Sequence, residues 1–180
     1  MIGPTASDEA LKVLVQLLGR AAPSMKEFVG LHDGLVLYCD TRSDTAGVRL
    51  FEVANWQPKT QEMRESMLAM GWDVDDLPVW YERGIVIGEI PHSANYFVLQ
   101  TDGGDAGQVF YCDHDDFEPD ALAESFAELL HMIVEDPANF LYERGCYARY
   151  SDGNTDTQWI PREYLRDCGE LSQGLTPPGY

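Results

Sequence analysis

The sequence lacks the features that mark membrane and secreted proteins. No apolar stretch approaches the roughly 18 residues that a membrane-spanning helix requires. The chain does not open with a basic segment followed by an apolar run, as a secretory signal would. We therefore expect a cytoplasmic protein that does not associate with membranes.

Cysteine is scarce, and its spacing excludes the usual cysteine-based sites. The four cysteines are far apart and form no C-x-x-C pair: Cys39, Cys112, Cys146 and Cys168. Structural zinc sites and disulfide frameworks need tighter grouping. Two of the four lie in strand-like runs, where a thiol usually behaves as a small buried hydrophobic group. The sequence predicts no metal site among the cysteines.

Catalytic motifs are also missing. The chain has no G-x-S-x-G elbow, no phosphate-binding loop and no H-E-x-x-H pair. His92 and Ser93 are adjacent, but a Ser–His pair also needs a strained elbow and an orienting acid, and we can place neither. We therefore predict a protein that is not an enzyme and that uses no cofactor.

Positively charged residues are scarce relative to acidic ones. The chain has 31 acidic and 12 basic side chains, a net charge of −19. Between Gly84 and Glu143 there are 13 acidic residues and neither lysine nor arginine. This charge argues against nucleic acids and anionic membrane surfaces as partners. It leaves two interpretations open, a surface that keeps the protein soluble and a docking face for a basic partner.

The candidate contact residues of such a docking face lie in two neighbouring segments. They are Asp102, Asp105, Asp113, Asp115, Asp116, Glu118 and Asp120. The run Asp113-His114-Asp115-Asp116 has carboxylates and an imidazole, which could hold a divalent cation. A metal-binding or small-ligand regulatory or scaffold protein centred on this run is the alternative function. No EF-hand spacing follows it, so an acidic loop before a helix is the simpler interpretation, and no metal ligand is assigned.

Periodicity and turn residues predict an α+β domain with a mostly antiparallel sheet. Helices are predicted over residues 7–19, from Pro23 to Gly34, over 59–70 and from Pro119 to Asp136. Strands are predicted over 35–39, 48–53, 85–90, 95–101 and 108–113, with an Asp- and Gly-rich hairpin turn before the last. Residues 72–83 are expected to be irregular. We expect one domain over residues 1–136, with an aromatic- and arginine-containing extension over 137–180 packed on it and a loose tail from residue 169.

Four further segments occur in a characteristic order. They are Pro23 to Phe28 followed by His32-Asp33-Gly34-Leu35; Ile87-Gly88-Glu89-Ile90 followed by Asn95-Tyr96-Phe97-Val98-Leu99; Gly103 or Gly104 with Gly107 to Tyr111; and Ser125-Phe126-Ala127-Glu128-Leu129-Leu130. This order resembles the SUKH superfamily (Smi/Knr family), which contains cell-wall regulator-like and bacterial immunity proteins. One departure is Ala94, where the family often has glycine.

The resemblance carries expectations about fold and partner. It implies an α+β fold in which helices pack around a mostly antiparallel central sheet, which we expect to have about five to six strands. It also implies a protein-binding role, commonly as an immunity protein that neutralises a toxin. A basic nuclease-type toxin would suit the acidic composition. No catalytic residues define the family, so none is transferred to this chain. Nothing in the sequence indicates an oligomeric state.

Overall fold

A computed structural model describes residues 2–19, 22–38, 47–72, 77–91, 93–114, 121–144, 148–151 and 156–159. In these ranges the helices are α1 (Asp8–Leu18), α2 (Pro23–Leu31), α3 (Val53–Ala69), α4 (Val79–Arg83), α5 (Phe126–Glu135) and α6 (Pro137–Glu143). The strands are β1 (Leu35–Leu37), β2 (Val48–Leu50), β3 (Gly84–Ile90), β4 (Asn95–Gln100), β5 (Val109–Cys112), β6 (Ala121–Ala123), β7 (Ala148–Ser151) and β8 (Asp156–Trp159). The predicted α+β class is confirmed.

The central sheet has six strands in the order β1-β2-β3-β4-β5-β6, and every neighbouring pair is antiparallel. The predicted pairing of the first two strands and the predicted hairpin between β4 and β5 are both confirmed. Strands β7 and β8 form a separate two-stranded sheet. Ile2 makes an isolated antiparallel bridge to Leu35, so the N-terminal segment lies along β1 at the edge of the sheet.

Helices cover both faces of the sheet, and β4 is buried along its whole length. On one face, Phe97 packs against Tyr111 of β5 and Phe140 of α6. Along the side of β3 that β2 does not reach, Thr60 of α3 accepts a hydrogen bond from the Val86 N–H at 2.9 Å. Because neighbouring residues of a strand point to opposite faces, a strand covered on both sides is apolar throughout. This explains the continuous run Tyr96 to Leu99.

The third helix begins earlier than the sequence predicts. The expected start at Lys59 is wrong, because α3 begins at Val53 and contains Pro58. A proline inside a helix removes one backbone hydrogen bond. Two features favour the longer helix: Asp33 caps its first turn, and Trp56 is buried with only 1% exposed. Tertiary contacts therefore outweigh the local signal of the proline.

Two further predictions are corrected. The helix expected from Pro119 to Asp136 is wrong at Leu122, because Leu122 lies in β6 and α5 begins only at Phe126. Pro119 and Asp120 lie outside the described residues. The Ser125 side chain accepts a hydrogen bond from the Glu128 N–H at 3.2 Å, which fixes the helix start. The segment 72–83, expected to be irregular, contains the short helix α4, and its Trp80 is fully buried.

At two positions of the family-like motifs, the backbone explains why glycine is favoured. Gly88 lies at a register shift of β3, and a β-carbon there would be 2.5 Å from the Arg49 carbonyl oxygen. Ala94, in the turn between β3 and β4, has φ of 60°, a left-handed conformation that favours glycine. The departure from the family pattern therefore falls at a position where alanine is strained.

Candidate functional site

Asp102 and Asp105 lie in the turn between β4 and β5, and both are exposed. The Asp102 carboxylate accepts a hydrogen bond from the Gly103 N–H at 2.8 Å. The turn closes where the Gly107 N–H donates to the Gln100 carbonyl oxygen at 2.8 Å. Asp102 therefore stabilises the turn as well as carrying charge, whereas no described residue forms a hydrogen bond or an ion pair with the Asp105 carboxylate.

Asp113 is at the other end of β5. The four residues of that strand separate it from the turn by roughly 13 Å, at about 3.3 Å per residue. The structure therefore does not bring Asp113 together with Asp102 and Asp105. The remaining candidates, Asp115, Asp116, Glu118 and Asp120, lie outside the described residues.

Asp113 and His114 belong to a hydrogen-bonded cluster around the buried side chain of Asn95. The Asn95 amide nitrogen donates to the Tyr111 hydroxyl at 2.7 Å and to Asp113 Oδ2 at 3.2 Å. Its carbonyl oxygen accepts from the His114 N–H at 3.1 Å and lies 2.6 Å from His114 Nδ1. Because an amide oxygen can only accept, Nδ1 carries a proton in this arrangement.

The same cluster connects the sheet to the segment after α6. The Tyr111 hydroxyl donates to the Arg144 carbonyl oxygen at 2.9 Å, and the Arg144 guanidinium lies 5.4 Å from the Tyr111 ring centroid. The bonds of Asn95 therefore join the start of β4 to the end of β5, and Tyr111 extends the network to Arg144, just after α6. This connection has the character of a structural network, since its central side chain is buried.

Two acidic residues that the sequence did not single out lie beside the β4–β5 turn. The Gln108 N–H donates to the Asp105 carbonyl oxygen, and the Gln108 side chain donates to Glu124 Oε2, each at 3.0 Å. Glu128 Oε2 accepts from the Glu124 N–H at 2.8 Å. We call Asp102, Asp105, Glu124 and Glu128 the acidic end of the sheet.

The acidic end was only half predictable because β6 was not recognised. Pairing of β6 with β5 puts Val109 opposite Ala123 and so carries Glu124 next to Gln108. One sequence signal could have shown that the helix begins after Glu124 and not at Pro119. It is Ser125 followed three residues later by Glu128, a pattern that marks a helix start.

The acidic end carries four exposed carboxylates. Among the described residues, no lysine or arginine forms an ion pair with any of them. Like charges in one region of a surface repel one another, so a cationic group brought alongside them is favoured.

The described part of the chain was also searched for groups of residues that could bind a metal and for helices that could span a membrane. Within it, no three His, Cys, Asp or Glu side chains come together as ligands for a metal ion. Its Cys112 is fully buried. No helix of this part has the length and apolar character needed to cross a membrane.

Comparison with known proteins agrees with this fold and with the order of the motifs. The model of the SMI1 / KNR4 family (SUKH-1) matches residues 5–132, which are 128 of the 180 residues. The matched region runs from α1 through β6 and into α5, and so contains the whole six-stranded sheet and the acidic end. No curated protein matches the chain. The chain belongs to the SMI1/KNR4 family (SUKH-1).

Proposed function

We propose that this chain is a non-enzymatic immunity protein that binds a toxin domain and neutralises it. Family membership is the observation that carries this proposal, because SUKH proteins are typically immunity proteins. The binding surface includes the acidic end of the sheet, and the partner is a basic domain such as a nuclease-type toxin.

The charge distribution supports a basic partner. A toxin that attacks nucleic acid needs a positive surface to contact phosphates. An inhibitor with an uncompensated negative surface attracts such a toxin over several ångströms and raises the rate of productive encounter. In this chain the 60 residues from Gly84 to Glu143 contain no lysine or arginine. Arg83 brings one positive charge to the edge of the turn, where its Nη1 lies 3.3 Å from the position of a Gly103 β-carbon.

The proposed contacts fall into two groups. Asp102 and Asp105 project from an exposed turn, with Glu124 and Glu128 beside it. Asp113 lies at the far end of β5, and Asp115, Asp116, Glu118 and Asp120 follow it in the sequence. Asp113 is far enough from the turn to be tested by a variant of its own.

The first experiment identifies the partner and measures how fast it binds. The full chain is used to isolate its partner from the source cell, and the partner is identified by mass spectrometry. Association of the purified pair is then followed by stopped-flow fluorescence from about 50 to about 500 mM salt, a range over which the screening length falls severalfold. We expect the association rate constant to fall about tenfold or more. A rate that does not change with salt would contradict an electrostatic role for the acidic surface.

Matched variants locate the surface. The double variant Asp102→Asn, Asp105→Asn removes two charges from the acidic end, and Glu27→Gln, Glu65→Gln removes two exposed charges from α2 and α3. We expect the first variant to slow association severalfold and the second to have a much smaller effect. Equal effects would show that only net charge matters. A toxin whose activity is unaffected by a saturating amount of the chain would contradict the immunity function itself.

A further inference from the structure

A second surface of the molecule differs in charge from the acidic end. A groove of about 520 Å³ lies between α1, α3, α4 and the start of β3. It is lined by Gln16, Leu17, Gln57, Thr60, Gln61, Arg64, Glu82, Arg83, Gly84, Ile85 and Thr101. These include two arginines and one acid, so the groove carries a net charge of +1 in a chain whose total is −19.

Arg64 is held in place at the wall of this groove. Its Nε donates to the Tyr81 carbonyl oxygen at 2.8 Å, and its Nη2 donates to the carbonyl oxygens of Glu82 and Gly84 at 3.0 and 3.3 Å. Its guanidinium also lies over the Tyr81 ring, 5.6 Å from the centroid. No described residue bonds to Nη1. A guanidinium already fixed in this way loses little conformational entropy when a ligand binds to it.

Arg83 is the second arginine of the groove, and its side chain is exposed. Three other described bases have carboxylate partners: Lys12 pairs with Glu9, Arg49 with Glu89 and Lys59 with Glu62. Lys26 donates instead to the Gly19 carbonyl oxygen, outside the groove. In the same described part of the chain, no carboxylate comes within ion-pairing distance of Arg64 or Arg83. Acids outnumber bases by more than two to one in this sequence, so two unpaired arginines in one groove stand out from the rest of the surface.

The rest of the lining suits a peptide backbone. The amide groups of Gln16 and Gln57 are exposed, and each can both donate and accept. A polyanion such as a nucleic acid would be repelled by the total charge of −19, whereas a ligand with one or two carboxylates meets little of that repulsion. The groove volume is within the range of ligand-binding clefts.

We propose that this groove binds a short extended peptide segment bearing one or two carboxylates. Arg83 and the free Nη1 of Arg64 receive a carboxylate, and the glutamine amides bond to the peptide backbone. This inference goes beyond the proposed function, since it concerns an acidic ligand and a groove that borders the acidic end at Arg83, whose Nη1 lies 3.3 Å from the position of a Gly103 β-carbon.

The test uses the full chain and three blocked heptapeptides that differ only at the central residue, which is glutamate, glutamine or lysine. Binding is followed by two-dimensional NMR of the ¹⁵N-labelled protein. We expect saturable shifts of the Gly84 and Thr101 backbone amides with the glutamate peptide and at least tenfold weaker binding of the other two, since a charge-assisted pair is lost. Shifts of equal size with all three peptides, or with inorganic phosphate in their place, would overturn the proposal.

Three variants complete the test without disturbing the anchored Arg64. Arg83→Gln removes an exposed charge from the groove, and Gln57→Glu adds a negative charge to it. We expect each to weaken binding of the glutamate peptide by about tenfold, with an unchanged melting temperature. Lys12→Gln makes the same change of charge outside the groove and should leave affinity within a factor of two. Equal loss in Lys12→Gln and Arg83→Gln, or no loss in Arg83→Gln, would refute the assignment.

Discussion

Asp33 and Val53 are twenty residues apart in the sequence, yet the Asp33 carboxylate accepts a hydrogen bond from the Val53 N–H at 2.8 Å. The loop after α2 thus supplies the cap for the first turn of α3. We expect Asp33→Ala to lower the free energy of unfolding by about 1–2 kcal/mol, the usual cost of losing a helix cap. Urea denaturation of the full chain measures this. Asp33→Asn keeps the accepting oxygen and should retain most of the stability, and an unchanged midpoint for Asp33→Ala would contradict the capping role.

Asn95 is central to the polar network between β4, β5 and α6. Asn95→Ala removes the bonds to the Tyr111 hydroxyl, Asp113 and His114, and we expect a loss of about 2–4 kcal/mol in thermal or urea unfolding. Asn139→Ala is a matched control, because Asn139 is exposed and its side chain bonds to no described residue. The control should change stability by less than about 0.5 kcal/mol. Similar melting temperatures for the two variants would show that the network contributes nothing.

Tyr96 gives the chain a pH-dependent term in its stability. Burial, together with Glu62 and Glu89, raises the pKa of its phenol to about 12. An unfolded tyrosine ionises near pH 10, so the unfolded state loses this proton first. The stabilisation is therefore complete below pH 10 and is lost as the pH rises toward 12. Urea titrations from about pH 8 to 11 should show a steeper fall for the native chain than for Tyr96→Phe, by about 1–2 kcal/mol at the alkaline end. Parallel curves would contradict this.

Gly88 permits the close approach of β2 and β3. A β-carbon there would lie 2.5 Å from the Arg49 carbonyl oxygen and 2.9 Å from Leu50 Cδ2. We expect Gly88→Ala to destabilise the fold by about 2–3 kcal/mol, since backbone atoms of a central sheet cannot move aside easily. Gly104→Ala places its methyl group in open space and should be tolerated. Denaturation midpoints of both variants decide the point, and equal stability would refute the steric explanation.

Local patterns were enough to predict most of the sheet, and nonlocal contacts account for what was missed. The β4–β5 hairpin was predictable because Asp102 and Gly107 determine its turn from within the segment. The start of α3 was not, because its cap comes from Asp33, far away in the sequence. Strand β6 was also missed, because Ala121-Leu122-Ala123 has little strand propensity of its own and becomes a strand by pairing with β5.

The acidic end of the sheet was likewise predictable only where local sequence determines it. Asp102 and Asp105 were identified from the turn that contains them, but their neighbours Glu124 and Glu128 are brought close by the register of two strands and the start of a helix. Charge counted along the sequence indicated the right region of the chain. It could not show that Asp113 lies at the opposite end of β5.

The order of the strands has a consequence for how the chain acquires its structure. In this sheet each strand pairs with the strand just before it along the chain, from β1 to β6. During synthesis, a newly made strand therefore finds its neighbour already available, and no early strand must wait unpaired for a distant partner. We expect the sheet to grow from one edge to the other as the polypeptide lengthens, with β4 enclosed on both sides only after β5 has been made.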